Sequence, residues 1–434
     1  MTNGGDVGTR SGMRARIAAI AALSAVALGL SACTGGAGSS TDAAVNTVDA
    51  ALADGIQAAV QSAMDLSGST SAIVGVWQGE DAAYVQGFGE GTTASSRFRA
   101  AQTSQPVMCA LLLDLVEQGR LSLDGEISEE LPRQVGIDGI TYRQLCAGTS
   151  GLADFKSGIS EIFVNNPTRQ WPDRELTAQS LAHSPLSWPG LDVHLSDSGA
   201  LMLGRALQIG QSERLPELLR SHVFEQAGMT SSYYPENTYT DTTLPSGSLP
   251  GTVYPSWEGA PVCDVGPKSA REVSPSMLGG AGATVTTVTD LKNFYQQYLG
   301  GAFGTGSAEL ITTTVTNENP QRDGNGEPLP PAEGAVPDPN ARFWGFGLEQ
   351  VGPLYGMSGS ITGTISAAYH DPQTGFTVVV ALNNSTAGAD FARILALQLS
   401  ALGGEDVWWT AEDQAAALAA RAVCPQPAEP APEG

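Results

Sequence analysis

Apolar positions along the chain keep two rhythms. Over residues 47–66, Val48, Ala51, Leu52, Ile56 and Val60 recur on one helical face. Ser71 to Trp77 and Ala83 to Phe88 read as two strands joined by a turn at Gly79-Glu80-Asp81. Met108, Leu111, Leu112, Leu115 and Val116 return to the helical spacing, and Gly119 stops that helix. A further apolar helix follows Gly199 and runs to Leu207. Trp344 to Leu348 opens a strand. Ile365 to His370 and Phe376 to Asn383 make two more around the turn Asp371-Pro372-Gln373-Thr374-Gly375. A helix from about Asp390 to Leu402 follows. A short helix at 410–421 and the tail Pro425 to Gly434 read as peripheral.

The first residues fit neither rhythm. Arg10, Arg14 and Arg16 precede an apolar run from Ile17 to Leu30, the length of a signal sequence and short for a membrane span. Leu30-Ser31-Ala32-Cys33 resembles the lipobox of bacterial lipoproteins. Residues 1–32 are therefore expected to be a lipoprotein signal peptide, with Cys33 acylated and the protein extracytoplasmic and lipid-anchored to the cell membrane. Residues 33–46, rich in Gly, Ser, Thr and Ala, read as a flexible tether. Residues 47–406 read as the folded domain and 407–434 as a peripheral helix and Pro-rich tail. Residues 318–341, rich in Pro, Gly and Asn, read as a long surface loop.

Composition narrows the partners. The chain has 434 residues, enough for one large domain or two ordinary ones, and a formal net charge of −24. Losing the signal removes three arginines and one aspartate, so the mature charge is −26. Such a surface argues against nucleic acid, whose phosphates need a basic one. The four histidines, His183, His194, His222 and His370, show no metal-ligand spacing, so no metal and no cofactor are expected.

The stretch FRAAQTSQPVMCALLLDLVEQGRL, Phe98 to Leu121, resembles the nucleophile helix of the serine β-lactamase and penicillin-binding-protein family, which includes D-alanyl-D-alanine carboxypeptidases and esterases. Phe98, Arg99 and Ala101 match on one side; Leu115, Val116, Gly119 and Leu121 match on the other. Further segments follow in the family's order: Ile140 to Leu152, Leu195 to Gly199, Phe224 to Thr230, Gly279 to Leu291 and Met357 to Gly359. The resemblance implies an α+β fold, an antiparallel sheet flanked by helices plus an all-helical subdomain.

In that register the family's serine falls on Gln102 and its lysine on Gln105. Its tyrosine falls on Leu195, its asparagine on Asp197, and its third motif on Met357-Ser358-Gly359. Gly148 replaces a histidine that is generally structural. No S-x-x-K occurs around Lys156, Lys268 or Lys292. A glutamine amide is neither nucleophile nor base, and losing such a nucleophile costs on the order of a million-fold in turnover. Ser104 is expected to cap the helix, with Pro106 in its first turn. The grouping of Ser104, His194 and Asp197 reads as a chance cluster.

The expected function is a binding or scaffold role at the cell envelope, with a cell-wall peptide or a protein as partner. Backbone N–H donors for a carbonyl survive side-chain loss, so binding without turnover fits. The alternative is an active serine hydrolase with an unorthodox site. Some class A relatives join cysteines at the places of Cys109 and Cys146. The resemblance therefore implies that pair, leaving Cys263 and Cys424 as a second; buried free thiols are the alternative.

Overall fold

The computed structural model describes residues 44–316, 319–323, 327–330 and 342–425. Cys33 and the signal segment lie outside them, as do parts of the 318–341 loop and the residues after 425.

Among the described residues, nine antiparallel strands form the main sheet: β1 (Val45–Asn46), β2 (Ala72–Gln78), β3 (Ala82–Phe88), β4 (Val315–Thr316), β5 (Phe343–Trp344), β6 (Glu349–Val351), β7 (Leu354–Ile361), β8 (Thr364–His370) and β9 (Thr377–Leu382). Their order is β1-β3-β2-β9-β8-β7-β6-β5-β4, so strands from the two ends of the chain meet where β2 pairs with β9. Alternation along β9 explains why both faces are covered. Val378, Val380 and Leu382 point into one core, Val379 and Ala381 into the other.

One core is closed by α1 (Ala50–Ser67), α10 (Ala389–Leu402) and α11 (Ala411–Ala419). The other is closed by α2 (Gln105–Glu117) and α8 (Val288–Leu299). Between them in sequence, α3 (Tyr142–Cys146), α4 (Ser160–Asn165), α5 (Asp173–Ala182), α6 (Asp197–Gln211) and α7 (Leu215–Leu219) build the helical part beside α2; α9 (Ser307–Thr312) follows α8. The α+β expectation is met.

Several boundaries differ from the sequence reading. The segment read as tether to residue 46 ends in β1, which pairs with β3. The 410–421 helix is not peripheral. Trp409 is buried with its indole donating to Leu397 O at 2.8 Å, and Leu418 is buried against the α1/α10 core. The strand expected from Trp344 to Leu348 is broken, because Gly347 turns the chain at φ 78° between β5 and β6. The described pieces of the 318–341 loop are tied down: Asn319 exchanges two hydrogen bonds with the Val193 backbone, and Arg322 pairs with Asp192 at 2.6 Å.

Both disulfides are present, Cys109–Cys146 and Cys263–Cys424. The first joins α2 to the end of α3. Cys146 O then accepts the Gly347 N–H at 2.7 Å and the Trp344 indole N–H at 3.3 Å. Trp344 also explains Gly148: at φ 69°, a Cβ there would stand 2.8 Å from the indole nitrogen. The space beside position 148 holds an indole.

Candidate functional site

The α2 first turn, the α6 N-terminus and β7 enclose a cleft of ≈ 710 Å³. A 3-10 turn, Ala101–Ser104, leads into α2. Ala101 has φ 52°, a left-handed conformation that costs a non-glycine residue roughly 1–2 kcal/mol. It brings the Gln102 side chain onto the cleft floor. Gly359 on β7 permits the approach, since a Cβ there would lie 2.4 Å from Gln102 N. Ser104 does not cap the helix. Its hydroxyl donates to Ala101 O at 2.8 Å.

Asp197 is the first residue of α6, where the helix dipole favours a carboxylate. It is 5% exposed. Gln102 Nε2 donates to its Oδ2 at 2.7 Å, and Gln105 Nε2 donates to Oδ1 at 2.6 Å. Lys156 Nζ stands 2.6 Å from Oδ2. The other end of the Gln102 amide is engaged too: Oε1 accepts the Ser360 N–H at 2.8 Å. The expectation that cleft N–H donors stand free for a ligand carbonyl is therefore corrected at Ser360.

Lys156 was missed by the sequence reading, which tested lysines only for S-x-x-K. Its loop follows Gly151-Leu152 and is pinned by Ser198, whose hydroxyl accepts from Phe155 N at 3.0 Å and donates to Ala153 O at 2.7 Å. Asp154 closes the loop by accepting the Lys156 N–H at 2.8 Å and the Asp197 N–H at 3.3 Å. Burial pulls the Lys156 ammonium down, but Asp197 and Asp154 outweigh it, and the net shift is upward. Lys156 is therefore an ammonium at neutral pH. Burial, then the Asp197 charge, push the Asp154 carboxyl above its ordinary value.

The structure places Gln102, Gln105, Asp197, Ser358, Met357 and Leu195 on the cleft lining, while Gly359, expected there too, lies beneath Gln102 and is not part of it. Leu195 is 39% exposed and carries no proton to give. His194 does not join them: its Nε2 is buried without a hydrogen-bond partner. The floor holds charge through neutral amides and one ammonium. It offers no unprotonated amine and no serine at position 102.

The beta-lactamase family model matches residues 56–402. The chain belongs to the beta-lactamase family. Penicillin-binding protein 4 of Amycolatopsis lactamdurans is 23% identical over 215 residues, 49% of this chain and 54% of that protein. The chain thus spans about half the length of this curated relative. Among solved structures, a D-stereospecific amidohydrolase from Streptomyces sp. superposes with TM-score 0.65 at 22% identity, covering 78% of this chain and 95% of its own. The D-amino acid amidase of Ochrobactrum anthropi SV3, complexed with L-phenylalanine amide, gives 0.64 at 18%, covering 82% and 100%. A penicillin-binding protein from Bacillus halodurans gives 0.58 at 19%, covering 77% and 97%. At these identities the structures establish the fold, and chemistry has to be read from the site.

Proposed function

We propose that this family member is a non-catalytic binding protein of the cell envelope, held outside the cytoplasm by a lipid on Cys33. Its cleft would present a surface to a cell-wall peptide or a protein partner. One observation carries the reading. Asp197 is clamped by Gln102, Gln105 and Lys156, where acyl transfer would need an attacking oxygen and a base beside it.

The test is intact-mass analysis after exposure to a labelled penicillin and to a fluorophosphonate. No adduct is expected. Gln102→Ser alone should restore little, because Gln105 takes no proton and Leu195 gives none. Membrane attachment is tested separately: Cys33→Ser should release the protein, and a processed variant that stays membrane-bound would refute the anchor.

The second reading, an active serine hydrolase, is favoured by the amidohydrolase and amidase among the similar folds. It would use one of the serines that line the cleft, Ser196, Ser358 or Ser360. Stoichiometric adduct on any of them, lost on substitution by alanine, would establish it in place of the first.

A further inference from the structure

The Gln102 carboxamide is held at both ends by groups that fix its orientation. The Ser360 backbone N–H can only donate, so it takes the oxygen end at 2.8 Å. The Asp197 carboxylate accepts, so it takes the nitrogen end at 2.7 Å. A flipped amide would set N–H against N–H and oxygen against oxygen, losing both bonds. Gln102 is 7% exposed, so water replaces neither partner cheaply. The backbone is also bent to bring it there, through Ala101 at φ 52° and the bare Gly359.

We propose that the cleft floor is a primary-carboxamide site and that Gln102 is its resident intramolecular ligand. The inference deepens the non-catalytic reading and rests on it. With Gln102 in place, an external carbonyl cannot reach the Ser360 N–H, so ligands of the wild-type cleft meet its walls, among them Arg342, Trp344, Asp390 and Arg421. The site has a defined chemical preference. A carboxylate in the same place would face Asp197 charge against charge. An ester or a tertiary amide would bring no N–H for Asp197.

Gln102→Ala in the full chain removes a fragment the size of acetamide, and acetamide is the probe. The thermal unfolding midpoint of the variant should rise with the logarithm of acetamide concentration above its Kd, by about 2 °C at ten times the Kd, and the wild type should not respond. Acetate and N,N-dimethylacetamide should leave the variant unmoved. Equal shifts with all three probes, equal shifts in both proteins, or no shift with acetamide would overturn the proposal.

Should Gln102→Ala fail to fold, Gln102→Asn keeps the amide one methylene short of Ser360. Hydrogen exchange at the Ser360 amide should then quicken roughly fivefold or more over wild type, and unchanged exchange would overturn the proposal. Adducts are read on the wild type and amide rescue on the variant, so the non-catalytic reading and the resident-ligand inference fail separately.

Discussion

Asp197 on the cleft floor and Glu349 on the sheet face that meets the α1/α10 layer are both buried carboxylates, 5% and 1% exposed, and they are held in different ways. Glu349 is met by a full cation: Arg342 Nε donates to Oε2 at 2.5 Å, Nη2 touches the same oxygen, and the Tyr369 hydroxyl donates to Oε1. All of these residues lie between 342 and 369, on or beside strands β5 to β8. Asp197 is met by two neutral amides and one ammonium, drawn from residues 102, 105 and 156. A local ion pair fixes the sheet edge. A non-local, mostly neutral set fixes the floor. Neutral donors hold an anion without a titratable proton, which suits a surface that stays put and ill suits one that moves protons.

The contrast has a first test in stability. Glu349→Ala strands Arg342 and a buried phenol and should cost about 3–5 kcal/mol by chemical denaturation. Asp197→Ala should cost less, since two of the three donors it leaves are neutral amides that line an open cleft. Equal costs would break the distinction. Next in size is the Cys109–Cys146 disulfide, which joins α2 to the end of α3 beside both regions. At a sequence separation of 37, the chain-entropy model gives roughly 4 kcal/mol for the Cys109→Ala/Cys146→Ala variant. Loss should appear at both regions, because Cys146 O also anchors Gly347 and Trp344. A double variant as stable as wild type would remove the link.

What the sequence made legible follows the same local and non-local divide. The α2 body, the β2–β3 hairpin and the β8–β9 turn were readable because apolar spacing and turn residues act within a few positions. Matching segments in order placed Gln102, Gln105, Asp197 and Met357 to Gly359 on one cleft. Lys156 was not readable as a floor residue, because what carries it there is Ser198 binding the Ala153 and Phe155 backbone across 43 to 45 positions. The Ser360 contact was hidden for a similar reason: a backbone N–H leaves no mark in residue type. Ser104 looked like a cap by identity, yet the strained Ala101 turn redirects its hydroxyl to a carbonyl within the turn. The tail helix looked peripheral by composition, and the burial of Trp409 and Leu418 makes it part of the α1/α10 layer.

A response to acid should come from the end of β8. His370 is buried, with Nδ1 2.8 Å from Thr377 Oγ1, and burial holds it down to about 4 from 6.5, against the opposing charge of Asp371. A base whose folded pKa is depressed is fully stabilised as the neutral form above its unfolded pKa. That stability falls as pH drops from 6.5 toward 4, by up to about 3 kcal/mol. Glu405 works the other way: burial and Asp371 raise it to about 7, so its contribution is lost as pH rises through that range. The wild-type curve is therefore a partial cancellation. The stability difference between wild type and His370→Gln, taken at pH 7.5 and pH 4, isolates the histidine. A difference constant with pH would refute its role. Gln105→Met, which removes no proton, should leave that acid limb in place.

Gln105→Met is also the gentlest probe of the floor. The side chains are similar in volume, so packing around a position 8% exposed is nearly kept, and what disappears is one donor to a charged acceptor. Such a bond contributes about 1.5–3 kcal/mol when its partner is left bare. Asp197 here keeps Gln102 and Lys156, and its Oδ1 faces a cleft that water can enter. The expected cost is therefore at the lower end, about 1–1.5 kcal/mol by denaturant titration, well below that of Glu349→Ala. A cost near 3 kcal/mol would mean that Oδ1 has no other relief and that the amides carry the floor as strictly as Arg342 carries the sheet edge. A neutral or stabilising outcome would mean that Lys156 alone suffices. The two glutamines would then be passengers on an ordinary ion pair, and the case for a floor built from neutral donors would fail.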